Sequence, residues 1–262
     1  MLPLHGSHRR PLIEELTSLP KQYTPEEMRA AASRDRTLKL EGGANVENAA
    51  KAAGAKRYIV QSTGFFYAAG QGLATEEDPL AFAATDGIAA SVNTYSQVEK
   101  RVLRAPGLEG VVLRYGFFCG PGTYHDPDHG SVSQQVREQR YPIIGSGRGV
   151  YSFVHVEDAA AATVAALEAD PGVYNVVDDD PLELAIWLPA FAQWLGAPAP
   201  PRISEEEARR AGQDAIYYAM FLRGASNMRA RKRLGFTPRR LEWLFEPESQ
   251  IAAPPDAIQV KR

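Results

Sequence analysis

Apolar residues in this chain alternate between short β-branched runs and longer stretches with helical spacing. Two runs, residues 56–63 and 110–115, are rich in Val, Ile, Leu and Tyr, and each predicts a buried strand. A helical pattern precedes each run, over residues 45–53 and 95–103, and a glycine follows each pattern. Helix followed by buried strand, twice over, predicts parallel βα units and an α/β fold.

The first part of the chain predicts one strand and one helix. Residues 12–17 form a short apolar run, which we interpret as a strand. Thr24 and Pro25 supply an N-cap and a proline at the first helical position, and two glutamates follow in the first turn. A helix is therefore expected to begin there and to end near Ser33.

The second half of the chain predicts shorter elements. Strands are expected over residues 151–155 and 173–177, and helices over residues 132–140, 157–168, 182–195, 205–213, 214–222 and 227–234. Trp187, Leu188 and Phe191 recur at helical spacing, which we interpret as a core face and not as a binding stripe. The glycine-rich segment 145–149 follows no buried strand and is predicted to be a turn between strands.

Composition narrows the classes of function. The chain has 262 residues, with 29 basic and 32 acidic side chains and a net charge of −3, so it offers little of the positive field that nucleic-acid binding requires. Its single cysteine, Cys119, excludes an intrachain disulfide and fits a reducing compartment. No apolar run is long enough to span a membrane, and the start carries no secretory pattern. We expect a cytoplasmic protein that binds a small molecule, and neither nucleic acid nor membrane.

Five segments, in this order and at these separations, resemble the extended short-chain dehydrogenase/reductases of the NAD(P)-dependent epimerase/dehydratase family. They are AAKAAGAKRYIVQST with the following Tyr67, LRYGFFCGPG from Leu113, YSFVHVEDAAAATVAALE from Tyr151, YNVVDDDP from Tyr174 and SNMRARKRLGFTPR from Ser226. The resemblance implies a doubly wound, Rossmann-like parallel sheet that binds NAD or NADP at the carboxyl ends of its strands. It also implies a smaller carboxyl-terminal mixed α/β domain on the substrate side.

On this basis the chain is expected to divide into two parts and a tail. Residues 1–122 are assigned to an incomplete dinucleotide-binding domain, and residues 150–180 add a late strand and helix to it. Residues 123–149 and 181–246 are assigned to the substrate side. Residues 247–262 are expected to be a flexible tail.

The chain departs from the family at its start. A dinucleotide fold opens with a strand, a glycine-rich turn and a helix that binds the pyrophosphate. No G-x-G-x-x-G or G-x-x-G-x-x-G occurs before residue 60, and residues 12–17 resemble the family's fourth strand. The first three strands are therefore expected to be missing, which leaves an unpaired sheet edge. We expect a truncated reading frame or, as the alternative, a homo-oligomer in which a partner copy supplies the edge.

The resemblance also implies catalytic residues. The family places a Ser or Thr at the end of its fifth strand, and by its spacing to Tyr67 that residue is Thr63. The family's Tyr-x-x-x-Lys then falls on Tyr95, but the lysine is Lys100, which lies five residues away instead of four. Thr63, Tyr95 and Lys100 are the catalytic candidates in this register.

A second register remains open. Glu99 resembles the family's glutamate one helical turn past the lysine, and counting back from it puts Tyr95 in the lysine's place and Ser91 in the tyrosine's. The usual dyad would then be absent. An acid/base group would come from elsewhere, such as Tyr67, Tyr95 or His155, although His155 resembles a structural strand-to-helix junction.

Cofactor contacts follow from the same resemblance. Thr17 is expected near the adenosine half of NAD(P). Ser62, beside Thr63, is also expected to contact the cofactor. The loop with Tyr115, Gly116 and Phe117 is expected to touch the nicotinamide.

Two further positions bear on the ligand. His125 and His129 lie among turn residues without fixed geometry, so we predict a solvated loop there and no metal site. The family's nucleotide-sugar enzymes carry an arginine two residues before the phenylalanine of the strand at 151–155, and here that position is Tyr151. A tyrosine offers no cation for a diphosphate.

Two functions of different classes are compatible with these residues. The first is an NAD(P)-dependent oxidoreductase or epimerase acting on a small carbonyl or hydroxyl compound, not on a nucleotide-diphosphate sugar, and inactive if the chain is truncated. The second is a non-catalytic ligand-binding or interaction module with the same fold.

Overall fold

The structure is a computed structural model that describes residues 12–14 and 25–244. Its strands are β1 (Leu12–Glu14), β2 (Arg57–Thr63), β3 (Glu109–Tyr115), β4 (Phe117–Cys119), β5 (Ile143–Ile144), β6 (Val150–Tyr151), β7 (Phe153–His155), β8 (Gly172–Val176), β9 (Leu182–Glu183) and β10 (Arg202–Ile203). Its α-helices are α1 (Pro25–Thr37), α2 (Gly43–Ala52), α3 (Asp86–Leu103), α4 (Ser131–Arg137), α5 (Val156–Ala165), α6 (Leu184–Trp194), α7 (Glu205–Ala211), α8 (Gln213–Ile216) and α9 (Met228–Leu234). Two π-helical turns span Leu38–Gly42 and Tyr217–Phe221, and a 3-10 turn spans Glu242–Leu244.

The main sheet consists of parallel strands in the order β1-β2-β3-β8. Thr63 pairs with Tyr115 in register, and Tyr115 pairs with Val176, so the carboxyl ends of β2, β3 and β8 lie level along one edge. The predicted parallel α/β fold is confirmed. The edge where these strands end is the place where open α/β sheets bind ligands.

Helices cover both faces of this sheet because its strands are apolar on both faces. Tyr58 and Val60 of β2 pack with Val98 and Val102 of α3 on one face. The neighbouring residue Ile59 points the other way and packs with the alanines of α5. Since successive strand residues alternate between faces, the apolar run at residues 58–60 is buried on both sides of the sheet.

A second core lies beside the sheet, where three short strand pairs form: β4 with β7, β6 with β9, and β5 with β10. Helix α6 is the centre of this core, and Trp187, Leu188 and Phe191 are each fully buried. The predicted core face is confirmed. Within residues 12–14 and 25–244, no helix combines the length and apolarity that crossing a membrane requires.

Several elements differ from their predicted bounds. Helix α3 begins at Asp86, nine residues before the predicted start, because Thr85 is an extended N-cap residue and Asp86 is an acid in the first turn. Helix α1 continues to Thr37 instead of ending near Ser33. The predicted strand over 151–155 is two strands that change partners at Ser152, whose hydroxyl accepts a hydrogen bond from the Ala225 N–H. Residues 15–24 and 245–262, which include part of the first predicted strand and the predicted tail, lie outside the described residues.

Candidate functional site

Thr63 is the last residue of β2, and its side-chain hydroxyl is a buried polar group. Its side chain is buried, and its Oγ1 has no hydrogen-bond partner among the described residues. A buried hydroxyl left unpaired costs about 1–3 kcal/mol, so a ligand atom at this position would stabilise the arrangement. Gly64 follows directly; its N–H donates to the Tyr115 carbonyl at 2.7 Å, which fixes the strand end.

Ser62 points to the opposite face of β2 and belongs to a buried ion-pair network. Its hydroxyl donates to Glu99 Oε1 at 2.6 Å. Arg114 donates to both oxygens of Glu99, from Nε at 2.8 Å and from Nη2 at 2.6 Å. The side chain expected to contact the cofactor therefore bonds to Glu99 instead.

Tyr67 completes this network. Its hydroxyl accepts from Arg114 Nη1 at 2.8 Å and donates to Asn175 Oδ1 at 2.6 Å, and the side chain has no exposed surface. Burial raises the pKa of the phenol, although Arg114 opposes the shift. An acid/base role for Tyr67 does not fit this enclosure. The sequence analysis did not identify Arg114 or Asn175. The one signal for them was that each is a polar residue inside a mostly apolar strand, Arg114 in β3 and Asn175 in β8.

Tyr95 and Lys100 are not brought together. Tyr95 is partly buried on α3, and its ring lies 5.9 Å from that of Phe66. Lys100 is exposed, and five residues along a helix place the two side chains on different faces. Burial, and then the carboxylate of Asp35, raise the pKa of the Tyr95 phenol, so Tyr95 carries its proton.

The second register places Ser91 where its hydroxyl donates to the Gly87 carbonyl at 3.0 Å. Glu99, from which this register counts, is buried against β2 and β3.

Of the three loop residues expected near the nicotinamide, Tyr115 and Phe117 line two different cavities. The Tyr115 hydroxyl is hydrogen-bonded to Thr163 on α5, beneath the sheet. A Cβ on Gly116 would lie 2.5 Å from the Ser152 carbonyl, so close packing of backbones requires glycine there. Phe117 stacks on Phe65, with ring centroids 4.3 Å apart. Thr17 lies outside the described residues.

Phe117 lines an aromatic cavity of about 470 Å³ together with Tyr141, Tyr151 and Tyr218. Burial raises the pKa of all three tyrosine phenols. Tyr151, at the position of the family's arginine, packs 4.8 Å from Phe117. This cavity therefore presents neutral hydroxyls on an aromatic wall. Arg140, which is paired with Glu138, also lines it.

The histidines have structural surroundings. His125 is buried, contrary to the predicted solvated loop; it is hydrogen-bonded to the Phe118 carbonyl at 2.9 Å and lies 5.2 Å from Phe153. Burial lowers the pKa of His125 to about 4. His129 is exposed. His155 caps α5 by accepting from the Glu157 N–H at 3.2 Å, which confirms the predicted junction. In the described part of the chain, no three His, Cys, Asp or Glu side chains are placed to hold a metal ion.

The described residues fit one half of a dinucleotide. The unpaired Thr63 hydroxyl lies at the sheet edge that binds the nicotinamide in folds of this kind. For the pyrophosphate, no glycine-rich turn joins a strand to a helix in the described ranges.

Comparison with known proteins places this fold in a family. Residues 28–176 match the model of the NAD dependent epimerase/dehydratase family. A 3-diazoavenalumate denitrifying reductase from a Streptomyces species is 40% identical over 237 residues, which are 88% of this chain and 76% of that protein.

Solved structures show the same fold. UDP-glucose 4-epimerase from Thermotoga maritima, solved with UDP-glucose, has a TM-score of 0.63 and 20% identity. The match covers 86% of this chain and 72% of the epimerase chain. A human epimerase family protein solved with NADPH has a TM-score of 0.60 and 18% identity. The match covers 83% of this chain and 72% of that protein. A conserved protein of unknown function from Silicibacter pomeroyi has a TM-score of 0.59 and 25% identity. The match covers 78% of this chain and 67% of that protein.

The sequence match spans more than half of the chain and includes β2, Thr63, β3 and the loop to Phe117. The structural match confirms the Rossmann-like sheet, and related structures hold NAD or NADPH. The chain belongs to the NAD dependent epimerase/dehydratase family.

Proposed function

We propose that this protein is an NAD(P)-dependent oxidoreductase that reduces the carbonyl group of a small aromatic compound or, in reverse, oxidises the corresponding hydroxyl group. The observation that carries the proposal is the aromatic cavity of about 470 Å³ lined by Phe117, Tyr141, Tyr151 and Tyr218. This volume lies within the range of small-molecule sites, roughly 300–1,000 Å³. The cavity adjoins the end of β2, because Phe65, two residues past Thr63, contacts both Phe117 and Tyr218.

The lining favours a neutral, planar ligand. Stacked rings bind a flat ring through offset and edge contacts. Hydroxyls that burial keeps protonated can donate to a carbonyl oxygen or accept from a phenol. A nucleotide diphosphate would instead need a free cation. Arg140 lines the cavity but is paired with Glu138, and Tyr151 occupies the position from which the family's arginine could supply one.

The curated relative supports reduction as the reaction. It is a denitrifying reductase of a diazo compound. A diazo-bearing aromatic compound is therefore a second candidate substrate, which differs from the first in the group that accepts the hydride.

The chain's own residues would position the reaction. The nicotinamide supplies the hydride when it is bound. Thr63 would donate its unpaired hydroxyl to a ligand oxygen at the end of β2. The stack of Phe65 on Phe117 would hold the substrate ring and exclude water from it.

A calorimetric titration of the purified chain with NADH and NADPH, with the oligomeric state measured on the same sample, tests the proposal. We expect micromolar binding of one of the two, followed by oxidation of the bound cofactor when a panel of hydroxylated aromatic aldehydes and ketones is added. Tyr151→Phe serves as a matched variant that keeps the ring and removes one hydroxyl.

A folded sample that binds neither dinucleotide would contradict the proposal. Binding of an aromatic probe by that same sample would instead support a non-catalytic ligand-binding protein. This alternative has one observation in its favour, which is that the described residues contain no pyrophosphate turn.

A further inference from the structure

One charged side chain lies on the wall of the aromatic cavity. Among the described residues that line it, Arg140 alone carries a charge, and the others have aromatic, aliphatic or amide side chains. Arg140 lies between α4 and β5, whereas Phe117 follows the end of β3. The cavity wall therefore joins a cation from one segment to aromatic rings at the edge of the main sheet.

The guanidinium group of Arg140 is only partly occupied. Its Nε donates to Glu138 Oε2 at 2.6 Å, and its Nη2 is paired with the same oxygen. No described residue accepts a hydrogen bond from its Nη1. The side chains of Arg140 and Glu138 are 60% and 42% exposed, and an exposed ion pair of this kind contributes little to stability. The edge formed by Nη1 and Nη2 is therefore available to a ligand.

A strained residue comes directly before Arg140. Gln139 has a φ of 54°, and it is the one non-glycine residue with a positive φ in the described part of the chain. Its N–H donates to the Val136 carbonyl at 3.0 Å, and the Arg140 N–H donates to the Gln135 carbonyl at 2.8 Å, which closes the end of α4. Glycine is the usual residue at the left-handed position of such a turn. A larger residue there costs free energy, and residues of this kind recur at functional sites.

Two further hydrogen bonds hold this turn against the segment before β10. The Gln139 side chain donates from Nε2 to the Ala199 carbonyl at 3.2 Å. The Ile143 N–H donates to the Pro201 carbonyl at 2.8 Å. Because the backbone is tethered on both sides of Arg140, only the side-chain torsions of this residue remain to be ordered when a ligand binds, which lowers the entropy cost of binding.

The rest of the wall suits a neutral ring with one charged substituent. Burial raises the pKa of the Tyr141, Tyr151 and Tyr218 phenols, so these hydroxyls stay protonated. They can contact a planar ring without adding negative charge that would repel an anion beside Arg140. A negatively charged substituent on that ring would meet Arg140, the one charged side chain among the described lining residues.

We propose that Arg140 determines substrate specificity and that the protein acts on aromatic carbonyl compounds whose ring also bears a carboxylate. This inference rests on the proposed function for the reaction at the carbonyl group, while binding of the carboxylate does not depend on the cofactor. The carboxylate accepts hydrogen bonds from Nη1 and Nη2 of Arg140, and Glu138 keeps its bond to Nε. One guanidinium that is shared with Glu138 can bind a single carboxylate, whereas a nucleotide diphosphate brings more than one negative charge.

Two probes that differ chiefly in charge test the proposal without cofactor. 4-Formylbenzoate and 4-formylbenzamide share the ring and the aldehyde, and only the first carries a carboxylate. We expect calorimetry on the full chain to show that the wild type binds 4-formylbenzoate at least about tenfold more tightly than the amide. Arg140→Gln should weaken binding of 4-formylbenzoate about tenfold and change that of 4-formylbenzamide less than about threefold, because the neutral probe makes no ion pair.

Three further substitutions separate the role of Arg140 from that of net charge. Glu138→Gln removes the competing carboxylate and should strengthen binding of 4-formylbenzoate about threefold. Arg140→Lys keeps the charge but loses the paired donors, so it should bind this probe about threefold more weakly than the wild type. Arg137→Gln is the matched control and should leave both affinities in place, because Arg137 is the exposed last residue of α4 and does not line the cavity.

Equal affinities of the wild type for the two probes would overturn the role of Arg140. A loss in Arg137→Gln as large as that in Arg140→Gln would overturn it in favour of general attraction by surface charge. A folded wild type that binds neither probe would also overturn it. Unchanged binding of the amide by Arg140→Gln shows that the cavity is intact in this variant.

Failure of the proposed function gives a different result. If the wild type binds neither NADH nor NADPH, the oxidoreductase is overturned, while a carboxylate preference that Arg140→Gln abolishes would still support the carboxylate site. If NADPH is oxidised with both probes at equal kcat/KM, the carbonyl reaction is supported and the role of Arg140 in specificity is overturned.

Discussion

Thr63 is the side chain on which the proposed ligand contact at the end of β2 depends. A threonine at a strand end would ordinarily bond to a neighbouring backbone group or to water, yet its Oγ1 is buried and unpaired among the described residues. Ser62, one residue earlier, has a partner because it points to the other face of the strand. The two adjacent hydroxyls therefore differ: that of Ser62 supports the fold, and that of Thr63 has no partner among the described residues.

We expect Thr63→Ala to lower kcat/KM about tenfold, which corresponds to the loss of one hydrogen bond of about 1.4 kcal/mol. Thr63→Ser keeps the hydroxyl and should retain most of the activity. Steady-state kinetics with a substrate that the wild type converts would give kcat/KM for both variants. Equal kcat/KM in the alanine variant and the wild type would remove Thr63 from the site.

The buried His125 side chain should make the free energy of unfolding depend on pH. Its pKa is about 4 in the folded protein, against an ordinary value of 6.5, because the buried ring resists charging. The unfolded chain therefore binds more protons between these values, and the free energy of unfolding falls as pH drops from 6.5 to 4, by about 3 kcal/mol from this group. Above pH 6.5 the contribution is fully present.

His125→Phe keeps an aromatic ring among Phe153, Trp187 and Phe191 and removes the titrating nitrogen. Urea unfolding at pH 7 and pH 4.5 should show a smaller acid loss in this variant than in the wild type. His129→Gln, at an exposed position, should keep the wild-type loss. An acid loss of wild-type size in His125→Phe would show that other groups cause it.

At the scale of elements, the Glu99–Arg114 pair joins α3 to β3 and, through Ser62, to β2. Both side chains are buried, and the pair is bidentate. Glu99→Gln would leave the Arg114 guanidinium buried without its counter-charge, and we expect a loss of about 3–5 kcal/mol in the free energy of unfolding. Chemical denaturation measures this loss.

The double variant Glu99→Leu with Arg114→Met should recover part of that loss, since no charge is left buried. Arg210→Ala, which breaks an exposed pair with Glu206 on α7, is the control and should leave stability unchanged. If the double variant were as unstable as the sum of the single variants, the two residues would not act as a pair.

The sequence predicted elements where local chemistry specifies them. Residues 56–63 and 110–115 became β2 and β3 within one residue, because buried parallel strands need continuous apolar runs. The start of α3 was missed because Asp86 to Ser91 contains small and polar residues without a clear apolar period. Its helical state depends on the cap at Thr85 and on packing of Ile88.

At the scale of the whole molecule, predictability ends where distant segments meet. Thr63 could be proposed as a site residue from its spacing to Tyr67, since both lie in one short segment. The cluster of Tyr141, Tyr151 and Tyr218 could not be found, because its members come from three separate segments.

The sheet edge at β1 gives a prediction for the complete site. Among the described strands, β1 pairs only with β2, so its other side has no strand partner there. Fusing a β-α-β-α-β unit with a glycine-rich turn ahead of β1 would place backbone N–H groups and a helix amino terminus beside the nicotinamide half of the site. We expect the fusion to bind NADPH at least about tenfold more tightly than the chain alone, because about 1.4 kcal/mol from pyrophosphate contacts is enough for that gain.

The control for this experiment is the same fusion with valine in place of the first glycine of the turn, which blocks close approach of the backbone to the pyrophosphate. Calorimetry should be done on both proteins at two protein concentrations. If a neighbouring copy completes the site, the affinity for NADPH rises as the protein is concentrated; if one chain completes it, the affinity stays the same. Unchanged affinity in a folded fusion would mean that β1 is not the strand beside which the pyrophosphate site is built.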